Sequence, residues 1–294
     1  MKRLLFALAI FLLSAGYSDA YEKQVIKLGL LTKLNTTETE FSEIWHKTFA
    51  PRKGDFEIVV RFYDSLTAMQ MALNAGEIHE IVLPEAAAEY LLNQNPEYEA
   101  TLVMRTKGMG LSFGFRADSK NLAEKFNEAL TSLKSDWTLG ALEGVYIALP
   151  GVVEPKPVAF EKFDGAETIK VAVTGDLPPM DLIAADGTPA GFNTAVLAEV
   201  GRYLKMNIEL VNIEAGARTA TLASGRTDVV FWYEVDTSLK EQPDVPEGVI
   251  LSEPYYEWNK FVHIRKIPQR PKGRAAGWDI FDIRKNILDL YRVR

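Results

Sequence analysis

IKVAVTGDLPPMDLIAADGTPAGFNTAVLAEVGRYLKMNIELVNIEAGARTATLASGRTDVVFWY, residues 169–233, is the stretch that decides the fold. Ile169 to Val173 alternates as a β-strand and stops at Gly175-Asp176-Leu177-Pro178-Pro179, where two prolines remove two backbone donors. Asp186-Gly187 makes a second turn. Thr194 to Leu204 then carries apolar residues at helical spacing, at Val196, Leu197, Val200 and Leu204. Ile208 to Val211 reads as a second strand, a short helix ends at Gly225, and Asp228 to Phe231 is a third strand. Strand, helix, strand, helix, strand predicts a parallel βαβαβ unit whose loops at the carboxyl ends of the strands are open to a ligand.

The rest of the chain repeats the plan. Lys23 to Leu31 and Phe56 to Phe62 read as strands, and Asn35-Thr36-Thr37 offers N-caps for a helix through Phe41, Ile44 and Trp45. A helix from Leu66 ends at Gly76, and Ile78 to Leu83 is a third strand. Leu73-Asn74-Ala75-Gly76-Glu77-Ile78 lines up with Leu222-Ala223-Ser224-Gly225-Arg226-Thr227. Two such units predict two α/β lobes with a cleft between them.

At 294 residues the chain is long enough for two cores, and 47 % hydrophobic with 25 % charged residues is an ordinary globular composition. Met1-Lys2-Arg3, the apolar run Leu4 to Leu13 and Ser18-Asp19-Ala20 have the three parts of a cleavable secretory signal cut after Ala20. There is no cysteine, hence no disulfide, thiol nucleophile or lipid-attachment site. The net charge of −7 without a basic tract argues against nucleic acid or an anionic membrane surface as partner. His46, His79 and His263 lack metal-ligand spacing, so no metal is expected. Gly108-x-Gly110-x-x-x-Gly114 leads into a strand, not a helix, which removes the physical reason for a phosphate loop.

Four motifs in order resemble the periplasmic polar amino-acid solute-binding proteins (extracellular solute-binding family 3). They are Gly175-Asp176-x-Pro178-Pro179; Asp186-Gly187-x-x-x-Gly191-Phe192-Asn193; Leu222-x-Ser224-Gly225-Arg226-x-Asp228-Val229-Val230; and Ser252-Glu253-Pro254-Tyr255-Tyr256. The resemblance implies a two-lobed type II periplasmic-binding-protein-like α/β fold with a two-strand hinge. It also implies a periplasmic, non-enzymatic, monomeric protein without a cofactor, which gives a small polar or anionic solute to an ABC permease. Segments resembling the family's second lobe, Phe56 to Pro96 and Gly110 to Leu139, precede the first-lobe stretch instead of following it. His263 to Lys266 resembles the family's crossing strand, and Trp278 to Asn286 its connecting segment. The chain is therefore expected to be circularly permuted. Residues 1–20 would be the signal, 21–109 with 266–294 the smaller lobe, and 110–265 the larger lobe, including a Pro-rich linker at 149–167.

The family's ligand residues do not carry over. Met180 stands where the family has an aromatic ring, Ala215 replaces a second aromatic, and Tyr233-Glu234-Val235 replaces Gly-x-Thr. Lys240 stands for the carboxylate-binding Arg, and Pro84, with Glu85 adjacent, for the second-lobe Asp. A rebuilt site is expected from Asp176, Met180, Asp181, Arg218, Trp232, Tyr233, Glu234 and Lys240 on one lobe and Asn35, Thr36, Thr37 and Glu85 on the other. Plainer roles stand beside these: helix capping for Thr36 and Thr37, a turn bond for Asp176, core packing for Trp232, solvated charge for Glu85 and Glu234, and a surface pair with Glu214 for Arg218. The functional alternatives are a solute carrier for a ligand other than a standard α-amino acid, a sensor or interaction module that has lost amino-acid binding, and, last, a small lyase using a cleft carboxylate.

Overall fold

The computed structural model describes residues 24–49, 56–148 and 154–268. The expected signal, the tail segment Trp278–Asn286 and the start of the linker lie outside the described residues. The first unit is β1 (Gln24–Leu31), α1 (Glu38–Phe49), β2 (Phe56–Tyr63), α2 (Leu66–Ala75), β3 (Glu80–Pro84) and α3 (Glu85–Gln94). A long strand, β4 (Tyr98–Arg116), leads to α4 (Lys120–Ser135) and α5 (Thr138–Tyr146). The second unit follows: β5 (Thr168–Val173), the short strands β6 (Asp176–Leu177), β7 (Asp181–Ile183) and β8 (Pro189–Ala190), then α6 (Phe192–Leu204) and β9 (Asn207–Asn212). A 3₁₀ turn (Ala215–Ala217) precedes α7 (Arg218–Ala223), β10 (Val229–Asp236), β11 (Val249–Leu251) and β12 (Tyr256–Lys266).

Among the described residues nine strands form one mixed sheet in the order β2-β1-β3-β12-β4-β10-β5-β9, with β11 beside β4. Each unit places its first strand between its second and third, all parallel: β2-β1-β3 and β9-β5-β10. The antiparallel strands β4 and β12 join them. β12 pairs with β3 from Phe261 to Ile264, and with β4 from Tyr256 to Lys266. β4 in turn pairs with β10 from Met109 to Phe115. Among the described residues the chain thus crosses between the units twice, on adjacent strands.

The internal match seen in the sequence has a common backbone cause. Gly76 and Gly225 both adopt the left-handed conformation, at φ 76° and 69°, just beyond α2 and α7. Each closes its helix with the same pair of bonds, Gly76 N–H to Leu73 O and Glu77 N–H to Ala72 O, against Gly225 N–H to Leu222 O and Arg226 N–H to Thr221 O. A side chain at either position would be strained.

Alternation along the strands separates two faces. In the first unit Leu28, Leu30, Ile58, Val60 and Val82 pack under α1 against Trp45, while Ile81 and Leu83 face α2 and α3. In the second unit Ile169, Val171, Val173, Val229 and Phe231 join the core beneath α4 to α6, and Ala172, Val230 and Tyr233 lie on the opposite face with Leu222 of α7. α1 begins with a reciprocal cap: Glu40 N–H donates to Thr37 Oγ1 at 3.2 Å and Thr37 N–H to Glu40 at 2.8 Å. Thr37 serves as a helix cap, the plainer of its two expected roles.

Candidate functional site

The carboxyl ends of parallel strands from both units converge on one cavity of about 540 Å³. Thr32 and Lys33 enter it from the end of β1, Pro84 from the end of β3, and Tyr233 and Glu234 from β10. Met104, Met109 and Leu111 of β4 and Tyr256, Trp258 and Phe261 of β12 line it where those strands cross. Phe41, Ile44 and Trp45 of α1 form one wall. Ile44 and Leu239 of the lining also stand at the surface, 53 % and 48 % exposed. Strand ends at the meeting of two α/β units are where this architecture leaves room for small molecules.

Polar groups close the cleft by pairing across it. Arg218, 3 % exposed at the start of α7, donates from Nε to Ala215 O at 2.8 Å and from Nη2 to Thr32 O of the first unit at 3.0 Å. Its guanidinium sits 5.9 Å from the Tyr233 ring centroid. Burial lowers its pKa from the ordinary arginine value, opposed by Tyr233, Asp244, Glu234 and Asp181. Lys33 forms an ion pair with Glu234. Asp244 accepts from the backbone N–H groups of Leu34 and Asn35 at 2.8 and 2.9 Å, and the Asn35 amide donates to Pro243 O at 2.9 Å. Two further ties are reciprocal. Asp176 of the second unit accepts from Thr67 N–H and Thr67 Oγ1 in the first turn of α2, at 3.0 and 3.1 Å. Asp64 of the first unit accepts from Gly216 N–H of the 3₁₀ turn at 3.0 Å. Each carboxylate meets backbone donors at a helix start, where negative charge is favoured.

Of the residues expected from sequence, Met180, Arg218, Tyr233, Glu234 and Thr36 line the cavity. Asn35 lies beside it, tied to Pro243 and Asp244. Asp176 does not face it: the carboxylate is committed to α2 rather than to a ligand or to its own turn. Glu85 pairs with Lys260, and Lys240 is exposed and outside the lining, so neither is brought to the cavity. The side chain of Trp232 lies outside the described residues. Arg218 is buried in the cleft, which replaces the expected surface pair with Glu214. Tyr233 stacks on Gly114 so closely that a Cβ there would meet its ring. Phe231 opposes Phe113 and Tyr233 opposes Ser112, so Trp232 is the extra residue of a bulge. Sequence reasoning missed Trp45, Met104, Met109, Trp258 and Phe261. Their one local signal is the alternation of Tyr256 and Trp258, which marks a strand face but not what it faces.

Asp181 lies behind the cavity wall, 1 % exposed, accepting from Gly175 N–H at 2.6 Å and Thr174 Oγ1 at 3.0 Å. Burial pushes its pKa up to about 6, opposed by those two bonds and by Arg218 and reinforced by Asp176. A carboxyl with a higher pKa in the fold holds protons that the unfolded chain has released. Its contribution to stability therefore falls as pH rises from about 4 to 6, by roughly 3 kcal/mol in all. Asp181→Asn should remove that downward slope in urea midpoints measured between pH 4 and 7. An unchanged slope would place the titration elsewhere.

Among the described residues no cluster of three or more His, Cys, Asp or Glu could hold a metal ion, and no helix is long and apolar enough to cross a membrane.

Residues 169–274, about a third of the chain, match the bacterial extracellular solute-binding proteins, family 3. The matched region begins at Ile169, the second residue of β5, and takes in the rest of the second unit and the crossing strand β12. The chain is also similar to solved structures at low identity. One is the zinc-bound ligand-binding component of an ABC-type import system from Staphylococcus aureus (10 % identity, 91 % of this chain and 71 % of that one, TM-score 0.46). Another is the periplasmic aliphatic sulphonate binding protein SsuA from Escherichia coli (10 % identity, 83 % and 65 %, TM-score 0.37). A third is the reduced OxyR regulatory domain from Pseudomonas aeruginosa (11 % identity, 94 % and 99 %, TM-score 0.41). No curated protein matches the chain in sequence.

Proposed function

We propose that this chain is a periplasmic solute-binding protein whose two α/β units close over a small molecule and deliver it to an ABC importer. The observation that carries the proposal is the cavity itself, placed at the carboxyl ends of β1, β3 and β10, with the Lys33–Glu234 and Arg218–Thr32 ties running from one unit to the other at its lining. Ligand contacts added to those ties favour the closed arrangement, because binding shifts a conformational equilibrium only through contacts that differ between its states. The family match over residues 169–274 supports the same role. The ligand is not a standard α-amino acid: Lys240, standing for the carboxylate-binding arginine, is exposed outside the lining, and the Tyr233 ring occupies the position of the family's glycine.

The proposal includes circular permutation. It is supported by the order of the units, with the family-matched one second in the chain, and by the two adjacent crossing strands β4 and β12, which leave the hinge intact. Such a rearrangement needs old termini near one another and a new break in exposed chain.

Native mass spectrometry of protein purified without denaturation tests the role. A small molecule retained by the folded chain and lost on denaturation is the expected result. Adding that molecule at ~100 times its dissociation constant should raise stability by roughly 2.7 kcal/mol. Protein that carries nothing and gains no stability from any solute would leave the interaction-module alternative in its place.

A further inference from the structure

We infer that, granted the ligand-binding role proposed above, the ligand is a neutral and largely apolar molecule of two or three rings' size, not the polar solute expected from the sequence. Two independent features of the cavity point there. The first is its lining. Away from the Arg218 end the walls are thioether and aromatic: Met104, Met109, Trp45, Trp258, Tyr256 and Phe261. Burial and the Glu143 and Glu85 carboxylates raise the pKa of the Tyr256 phenol, which keeps that hydroxyl uncharged. Methionine and aromatic surfaces adapt to apolar shapes and offer little to a hydrated solute. The exposed part of the lining has the same character, with Ile44 of the first unit and Leu239 of the second half-exposed.

The second feature is that the charges at the cavity are already used. Lys33 is paired with Glu234, and Asp244 holds two backbone N–H groups. Asp236 accepts from the Ser238 N–H at 2.9 Å and its hydroxyl at 2.6 Å. Arg218 is spent on the Thr32 and Ala215 carbonyls. A zwitterion or an ion would either break one of these ties or lie unpaired in a buried site, and both are costly. A neutral ligand leaves every tie in place and gains by covering apolar surface. Three wall residues set a limit on its polarity: Thr106 Oγ1, Tyr233 OH and Trp258 Nε1 are buried without a hydrogen-bond partner among the described residues. Up to three weakly polar atoms on the ligand can be met there.

The test is a titration of the full chain with N-phenyl-1-naphthylamine, a neutral fluorescent aromatic, against L-glutamate, L-arginine and choline, followed by probe emission and by quenching of Trp45 and Trp258. The probe should bind with a dissociation constant of about micromolar order, in line with the efficiency usual for a ligand of its size. L-Glutamate and L-arginine should bind at least about 100-fold more weakly, because they gain no paired partner. Choline, the one charged solute that the aromatic walls favour by cation–π contact, should also bind more weakly than the probe. Met109→Trp, which fills the cavity, and Ile44→Asp, which puts a charge at an exposed lining residue, should each weaken the probe about tenfold or more, the order expected when apolar contact is lost or a charge opposed. Ile44 is half-exposed, so the second variant stays informative if the first misfolds. Tight binding of a charged solute without binding of the probe overturns the ligand class and leaves the binding role standing. Probe binding unaffected by both variants overturns the assignment to this cavity. Failure of all four compounds to bind overturns the ligand class, while the retained-molecule experiment decides the binding role separately.

Discussion

Arg218→Met is expected to cost roughly 3 kcal/mol of stability and to open the molecule. The substitution keeps the apolar stem but removes the donors that reach Thr32 O in the first unit and Ala215 O in the second. Bonds from a charged donor contribute about 1.5–3 kcal/mol each, and a buried carbonyl left without a donor adds its own cost. For a chain of this size that is a fall in melting temperature of roughly 6–12 °C. Arg218→Lys should fall between, because an ammonium keeps the charge but lacks the planar fork that serves two carbonyls at once. Small-angle scattering should show the methionine variant more extended than the parent. A variant as compact and as stable as the parent would mean that the bond to Thr32 does not hold the units together.

Glu80→Ala should have the largest effect on stability alone. Glu80 and His263 are both buried, with Glu80 Oε2 and His263 Nδ1 2.9 Å apart, and Thr101 Oγ1 donates to Glu80 Oε1 at 3.0 Å. The contact ties β3, β4 and β12 at one point, and the His263 ring lies 5.2 Å from that of Trp45, a wall of the cavity. Removing one partner of a buried hydrogen-bonded pair leaves the other unsatisfied, at about 1–3 kcal/mol and more where the remaining group is charged. Replacing both with apolar residues of similar volume, as in Glu80→Leu with His263→Leu, should cost much less than the sum of the two single changes. Urea unfolding of the four proteins measures the coupling, and additive losses would show that the two side chains do not act as a pair.

The contrast between fold and site follows from how far each signal reaches along the chain. β5, α6, β9 and α7 were legible because their periodicity is local, and Gly76 and Gly225 because each ends its own helix. Thr37 was legible as one of three candidate caps, while its partner Glu40 was not singled out, although a spacing of three is itself the capping geometry. β10 runs on to Asp236, five residues beyond the expected Phe231, because its continuation pairs with β4 across the Trp232 bulge. Nothing near Phe231 announces a partner at Gly114. The cleft is harder still: Lys33 meets Glu234, Asp176 meets Thr67, and Arg218 meets Thr32, pairs separated by more than a hundred residues. Residue type identified Glu234, Asp176 and Arg218 as candidates for a ligand. The fold shows that each is held by a residue of the other unit that was not a candidate, Lys33, Thr67 and Thr32 respectively.

This protein contains no cysteine, so a single pair introduced as Ile44→Cys and Leu239→Cys can carry one spin label on each unit, at exposed lining residues, without interference. The distance between those labels is the most direct measure of whether two units close over the cavity. A short separation in the parent, a longer population in Arg218→Met, and a return toward the short one on adding a bound ligand is the predicted result. One separation, unchanged by the substitution and by ligand, would contradict a closing cleft.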